Sequence, residues 1–405
     1  MFRNNLFDFE KIEKDHFAQK TISADEESIN KKYEEGLSRV VTESGSYKVS
    51  LLKDIFSSDE YDLKPDYQRR ITWNNAKRSK LIESLIMNIP IPPVFLYEKD
   101  FNKYEIMDGL QRISAIIAFY NNEYALTGLT EWKELNGKRY KNLPIKIKEG
   151  IDRRQILFTT LLKETASDPK QADKIKRMVF ERLNTGGVKL TGQEIRNALY
   201  NGPGNEMCKK LSEYELFRKL WDIPKPDTVD FDIFEFSGYS DDAFYTDKQR
   251  KKLERHSLYK RMYDVELVLR FFAMRHIEEF NISLIDFLDT NLINLNTYTE
   301  NELDVLKENF KAALDKADKL FGEYAFRFYK DNEWTSPARL VYDPMLYVLS
   351  GNDVDCRGSL SERIEMLQTF YSKHEKEFDG KHQTKDDITN RIDLLFEFLR
   401  ENGLI

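Results

Sequence analysis

Asp108, Gly109, Leu110, Gln111 and Arg112 stand where two residue periodicities meet. Upstream, Val94 to Tyr97 and then Tyr104 and Ile106 read as short strands joined by a polar turn at residues 99–102. Downstream, Ile113, Ile116, Ile117 and Tyr120 fall at the spacing of one helix face. A strand that enters a helix through a glycine leaves backbone N–H groups unpaired at the helix start. The helix dipole adds partial positive charge there, so such a turn can hold an anion or a phosphate. In that chemistry Asp108 holds a Mg²⁺ or orients water, Gln111 positions the water, and Arg112 clamps phosphate oxygens with its planar fork. The same spacing has a second reading. Asp108 followed three residues later by Gln111 matches a capping box, and taken alone the motif favours it. Capping leaves Arg112 unexplained, because a helix N-terminus disfavours cations.

Two other loops carry similar chemistry. Pro65 to Trp73 places Tyr67, Gln68 and Arg69 beside a proline turn, a surface suited to phosphate contact or base stacking. Its other reading is an exposed loop anchored by Trp73. Phe180 to Gly187 brings Arg182, Asn184 and Thr185 up to Gly186 and Gly187, which let the backbone turn tightly and approach a ligand. The sequence predicts that these loops and the Asp108 turn line one pocket. A fourth candidate is the basic run of Lys248, Arg250, Lys251 and Lys252, which reads first as a solvated helix face and second as a nucleic-acid patch.

The elements that must position these residues follow from pattern. Asn75 to Asn88 is a helix with Leu81, Ile82, Leu85 and Ile86 buried, stopped by Pro90, Pro92 and Pro93. Tyr47 to Phe56 opens the core as a strand and turn; Leu135 to Tyr140, with its Asn-Gly pair, predicts a hairpin; Ile156 to Leu162 predicts a strand. Lys170 to Phe180 is helical, and Thr191 with Glu194 forms a capping box for the next helix. Residues 1–46 form a charged arm with one helix capped by Ser23 and Glu26, packed on the body or on a partner. After Asn201 the pattern is helical, with caps at Thr299/Glu302 and Ser359/Glu362 and a last helix through Ile388, Ile392, Leu395 and Leu399 that Gly403 ends. Phe231 to Thr246 reads as a surface loop.

Composition narrows the function. The 405 residues, 40% hydrophobic, suffice for two or three domains. The net charge of −7 argues against a protein that coats DNA non-specifically, so any DNA contact is local. Two cysteines without a Cys-x-x-Cys and five scattered histidines predict no zinc and leave no material for His-metal nuclease chemistry. Without a signal-type or 18-residue apolar run, the expectation is a cytoplasmic protein with no membrane partner.

The motifs also occur together and in order: Tyr67-Gln-Arg, Trp73, the Leu-Ile-Glu-Ser-Leu helix, Ile89-Pro-Ile-Pro-Pro-Val-Phe-Leu, Asp108-Gly-Leu-Gln-Arg, Phe180-Glu-Arg-Leu-Asn-Thr-Gly-Gly and Leu190-Thr-Gly-Gln-Glu-Ile-Arg-Asn. This set resembles domain-of-unknown-function family 262, the GmrS-type N-terminal domain of GmrSD restriction endonucleases. The resemblance runs from Leu51 to Tyr200, with a weaker echo at Leu267-Val-Leu-Arg-Phe-Phe and at Ser336 to Leu346. It implies an α+β fold similar to ParB and sulfiredoxin, here over residues 47–200, followed by an all-helical region, 201–405, without an HNH motif. It further implies a nucleoside triphosphate with Mg²⁺ as cofactor and a part in defence against foreign DNA. The missing nuclease is then supplied by a separately encoded partner. The family's Asp-Gly-Gln-Gln-Arg motif, associated with nucleotide binding and hydrolysis, has Leu110 at its third position here. Two readings stay open: an NTP hydrolase, with DNA nicking as a further activity, or a non-hydrolysing nucleotide or DNA switch for the partner. Homo-oligomerisation is open as well.

Overall fold

The computed structural model describes residues 6–10, 27, 29–30, 40–62, 73–163, 169–183, 190–224, 253, 256–281, 283–378, 380 and 384–405. These fall in two compact units. One comprises residues 18–190 with 230–244; the other comprises 1–17, 191–229 and 245–405.

The first unit is built on a five-stranded mixed sheet with the order β1-β5-β3-β4-β2. The strands are β1 (Thr42–Lys48), β2 (Tyr61–Asp62), β3 (Val94–Asp100), β4 (Lys103–Asp108) and β5 (Gln155–Leu161). β3 pairs antiparallel with β4 and parallel with β5, while β1 runs antiparallel to β5 and β2 parallel to β4. Helices α1 (Leu52–Phe56), α2 (Asn75–Met87), α3 (Leu110–Tyr120) and α4 (Ile145–Asp152) belong to this unit, and α5 (Pro169–Leu183) follows β5. The period-2 strand pattern sends Val94, Leu96, Ile106, Ile156 and Phe158 into one core with Ile82, Ile113, Ile116 and Phe119. Each fully buried Leu, Ile or Phe of this set contributes about 1.5–3 kcal/mol.

α2 shows why a segment starts and stops where it does. The Asn74 side chain accepts from Lys77 N, and Asn88, at φ 60°, turns the chain out of the helix. The buried Glu83 carboxylate then fixes the next loop by accepting from the N–H groups of Thr130, Glu131 and Trp132 at 3.0, 2.8 and 3.0 Å.

Two local expectations are corrected. The Asn136-Gly137 pair does not join two strands. Asn136 has φ −59° and ψ 136°, and Gly137 has φ 82°. This is a type II turn, closed by Lys138 N to Leu135 O at 3.0 Å. It is held to Leu126 rather than extended as a ladder. The first strand also begins at Thr42, before the expected Tyr47, because Ser44 and Gly45 complete the pairing with Thr159 and Phe158.

The second unit is helical: α6 (Gly192–Leu199), α7 (Pro203–Leu211), α8 (Glu215–Leu220), α9 (Ser257–Lys260), α10 (Tyr263–Met274), α11 (Leu284–Leu295), α12 (Glu300–Phe321), α13 (Arg339–Gly351), α14 (Leu360–Lys373) and α15 (Lys385–Glu401). The capping boxes at Thr191, Thr299 and Ser359 form with both reciprocal bonds. Gly403, at φ 64°, ends α15 as Leu404 N reaches back to Leu399 O. One departure from an all-helical region is a hairpin of β6 (Arg327–Lys330) and β7 (Glu333–Pro337), turned by Asp331 and Asn332 at positive φ. The N-terminal stretch contributes Glu10, buried in an ion pair with Arg275. Of the expected Ser23-capped helix, residues 27, 29 and 30 are described and helical, while its cap at Ser23 and Glu26 and the 231–246 loop lie outside the described residues.

Candidate functional site

β4 delivers the chain straight into α3. Asp108 is still paired with Phe95 of β3, and Gly109, at φ 102°, is the N-cap of α3. A Cβ at Gly109 would meet Val94 Cγ2 at 2.8 Å, so glycine is required both by conformation and by space. The Gly109 carbonyl takes the N–H groups of Arg112 and Ile113, both at 3.0 Å. No side chain caps the helix.

The capping box expected at Asp108 and Gln111 therefore does not form. The cap has to be the half-helical residue, which is Gly109, and Asp108 one position earlier belongs to the strand. Its Oδ2 instead accepts from Arg112 Nη2 at 2.5 Å, and Gln111 Oε1 accepts from the backbone N–H of Trp73 at 3.1 Å. Arg112 is 12% exposed against 41% for Asp108. The guanidinium also donates to Pro92 O at 2.8 Å and Pro93 O at 3.3 Å. That accounts for a cation at this end of a helix: it ties the proline entry of β3 to the turn.

Chemically, the turn presents the uncapped N-terminus of an 11-residue helix, a half-exposed carboxylate whose Oδ2 alone is engaged among the described residues, and the Gln111 amide. An anionic group suits the first. Mg²⁺ takes one or two carboxylates and completes its shell with phosphate oxygens and water, so a single Asp108 fits an ion that arrives with a nucleotide. Among the described residues no three His, Cys, Asp or Glu side chains gather to cage a metal.

The other expected site residues divide as follows. Arg182 is exposed on the last turn of α5. Tyr67, Gln68, Arg69, Asn184, Thr185, Gly186, Gly187, Lys248, Arg250, Lys251 and Lys252 lie outside the described residues, and so does the shared pocket of three loops. What is in place is the contact of Trp73, the end of the first loop, with Gln111 of the turn. Sequence reasoning did not single out Pro92 and Pro93 as partners of Arg112. Their position before β3 was visible, but an arginine's backbone acceptors leave no periodic trace.

Two polar clusters near the sheet were also unforeseen. Glu105, on the face of β4 opposite Ile106, pairs with Lys176 of α5 at 2.6 Å, both buried. The Asp152 carboxylate accepts from Tyr120 Oη at 2.6 Å and from Tyr140 Oη at 2.8 Å, and the two rings stack at 4.3 Å. Burial first, then the hydrogen bond to Asp152 and its charge, push the Tyr140 phenol up to about 12, and the Tyr120 phenol rises for the same reasons. Both remain hydrogen-bond donors, Tyr120 fastening α3 and Tyr140 the turn at 140–142 to α4.

Residues 52–201 match the family described as GmrSD restriction endonuclease, N-terminal domain. That stretch is similar to a GmrSD N-terminal domain. No curated protein and no solved structure matches the chain. The matched stretch starts with the first residue of α1, includes the Asp108 turn, and ends just past α6. α6 itself lies in the helical unit. There Arg196, 1% exposed, is clasped by Asp289 at 2.7 Å and Glu266 at 3.0 Å.

Proposed function

We propose that the protein is a nucleotide-binding, NTP-hydrolysing component of a restriction-type defence system that acts on or senses foreign DNA. The observation that supports this reading best is the open N-terminus of α3: a glycine cap, no capping side chain, and a carboxylate beside it. The triphosphate's negative charge meets the N–H groups of the first turn of α3. Gln111, held by Trp73, keeps its amide donors for water or a phosphate oxygen. Arg112 fixes the carboxylate's orientation through Oδ2. Asp108 would hold a Mg²⁺ that arrives with the nucleotide, and that ion would supply charge to neutralise the phosphates. Phosphoryl transfer asks mainly for positioning and charge, which this set supplies.

A second reading, a nucleotide or DNA switch without turnover for a separately encoded nuclease, is favoured by one feature. Arg112 already spends its donors on Asp108, Pro92 and Pro93, which leaves less for a transition state. The deciding experiment incubates the full chain with each NTP and Mg²⁺, with and without DNA, and follows phosphate release and strand nicking. Release that Asp108→Asn abolishes supports the hydrolase. Nucleotide binding with no release under any condition supports the switch. Absence of both would overturn the nucleotide assignment.

A further inference from the structure

The helical unit contains a cleft of about 570 Å³, at the scale of small-molecule sites, which run from about 300 to 1,000 Å³. The two stretches that echo beyond the GmrSD N-terminal domain meet there: Arg270 from the first, Arg339 and Asp343 from the second. Arg270 is 4% exposed. Its Nε donates to both Asp343 oxygens at 3.1 Å, and its Nη2 donates to Oδ2. Asp343 thus occupies one edge of the guanidinium. Nη1, on the opposite edge, is buried and has no acceptor among the described residues. Trp221, 4% exposed, lines the same cleft, and its indole N–H is likewise buried without an acceptor among them. A buried donor left without an acceptor costs free energy, and the two residues that carry these donors both line the cleft, so a molecule that brings acceptors would relieve them.

The sign of that molecule follows from the lining. Its carboxylates are already engaged, Asp343 by Arg270 and Glu266 by the buried Arg196 at 3.0 Å. Arg339, half-exposed, adds a positive charge at the mouth, 3.8 Å from Glu266. The cleft therefore favours an anion. Leu258, Leu340 and Ile388 supply an apolar side, which inorganic phosphate would leave unused.

We propose that this cleft binds a small organic anion, whose carboxylate or phosphate accepts from Arg270 Nη1, Trp221 Nε1 and Arg339 while its apolar body lies on the leucine and isoleucine side chains. The site belongs to the helical unit and does not depend on the nucleotide reading of the Asp108 turn.

Isothermal titration of the full chain with phenyl phosphate, benzoate, inorganic phosphate and phenol tests it. At least one of the two organic acids binds at millimolar concentration or below, and phenol and inorganic phosphate bind more weakly. Phenyl phosphate and benzoate distinguish a phosphate headgroup from a carboxylate. Trp221→Phe keeps the ring contact with Tyr342, at 5.2 Å, and removes only the N–H. Arg339→Gln changes a half-exposed side chain. Each weakens the organic acid roughly tenfold, the loss expected for one hydrogen bond to a charged group. If Trp221→Phe does not fold, Arg339→Gln alone decides. The proposal is overturned if neither organic acid binds, if the folded variants bind as the wild type does, or if inorganic phosphate binds as tightly as the organic acids.

Discussion

Replacing Gly109 with alanine tests whether the strand-to-helix turn is built as described. Two penalties are separable. At φ 102° an L-residue sits beyond the left-handed helical well, and such conformations cost on the order of 1–3 kcal/mol. The new Cβ also falls 2.8 Å from Val94 Cγ2 and 3.3 Å from Val94 Cβ. Val94 is fully buried in the central strand β3 and cannot swing away. Overpacking of this kind costs about 1–3 kcal/mol more. The expected total is about 2–6 kcal/mol, or a fall of roughly 4–24 °C in melting temperature for a unit of this size. Urea unfolding of Gly109→Ala, Val94→Ala and the double variant separates the terms. Removing the valine methyls relieves the clash but not the backbone strain, so the double variant should be more stable than the sum of the singles by about 1–2 kcal/mol. Strict additivity, or a Gly109→Ala variant that melts with the wild type, would refute the close approach of turn and strand.

Asp108→Asn, which loses only a half-exposed i,i+4 ion pair worth about 0.3–0.5 kcal/mol, should melt within roughly 1–2 °C of wild type by calorimetry. Lys176→Met leaves the Glu105 carboxylate buried and unpaired and should cost about 3–5 kcal/mol, while adding Glu105→Leu should recover most of it. A single variant no worse than the double in urea would count against a buried pair. Burial first, and Arg275 beside it, lower the His276 imidazole from the ordinary 6.5 to about 4, although Glu10 and Glu279 pull the other way. Between those values the unfolded chain binds the extra proton. Stability from this site is thus complete above about pH 6.5 and is lost as pH falls toward 4, by on the order of 3 kcal/mol. His276→Gln should flatten that part of the stability profile measured by urea unfolding.

The regular elements were legible because each carried its own signal. Leu81, Ile82 and Leu85 mark the buried face of α2, the boxes at Thr299 and Ser359 start α12 and α14, and Val94–Tyr97 marks β3. The motif Asp108-Gly-Leu-Gln-Arg was found, but its geometry was not. Spacing alone suggested that Asp108 caps Gln111, whereas pairing with Phe95 keeps Asp108 in the strand and leaves Gly109 as the cap. The Asn136-Gly137 turn misled for a related reason: both type I′ and type II turns accept that pair, and only the long-range bond to Leu126 decides. Contacts such as Lys176 with Glu105, or Arg270 with Asp343, join residues 71 and 73 positions apart and have no local signature.

α6 bears on how such a chain can be inherited and cut. The stretch recognised as a GmrSD N-terminal domain runs to residue 201, yet its last helix is packed in the helical unit, with Arg196 sealed between Asp289 and Glu266. The stretch that resembles the family and the unit of folding thus end at different residues. A fragment ending at Asn201 strands a buried arginine, together with Leu199 and Tyr200, without their cover, while one ending at Leu190 does not. Any recombination that attached this domain to a new downstream region would carry α6 along, and with it a requirement for two acids placed to receive the arginine.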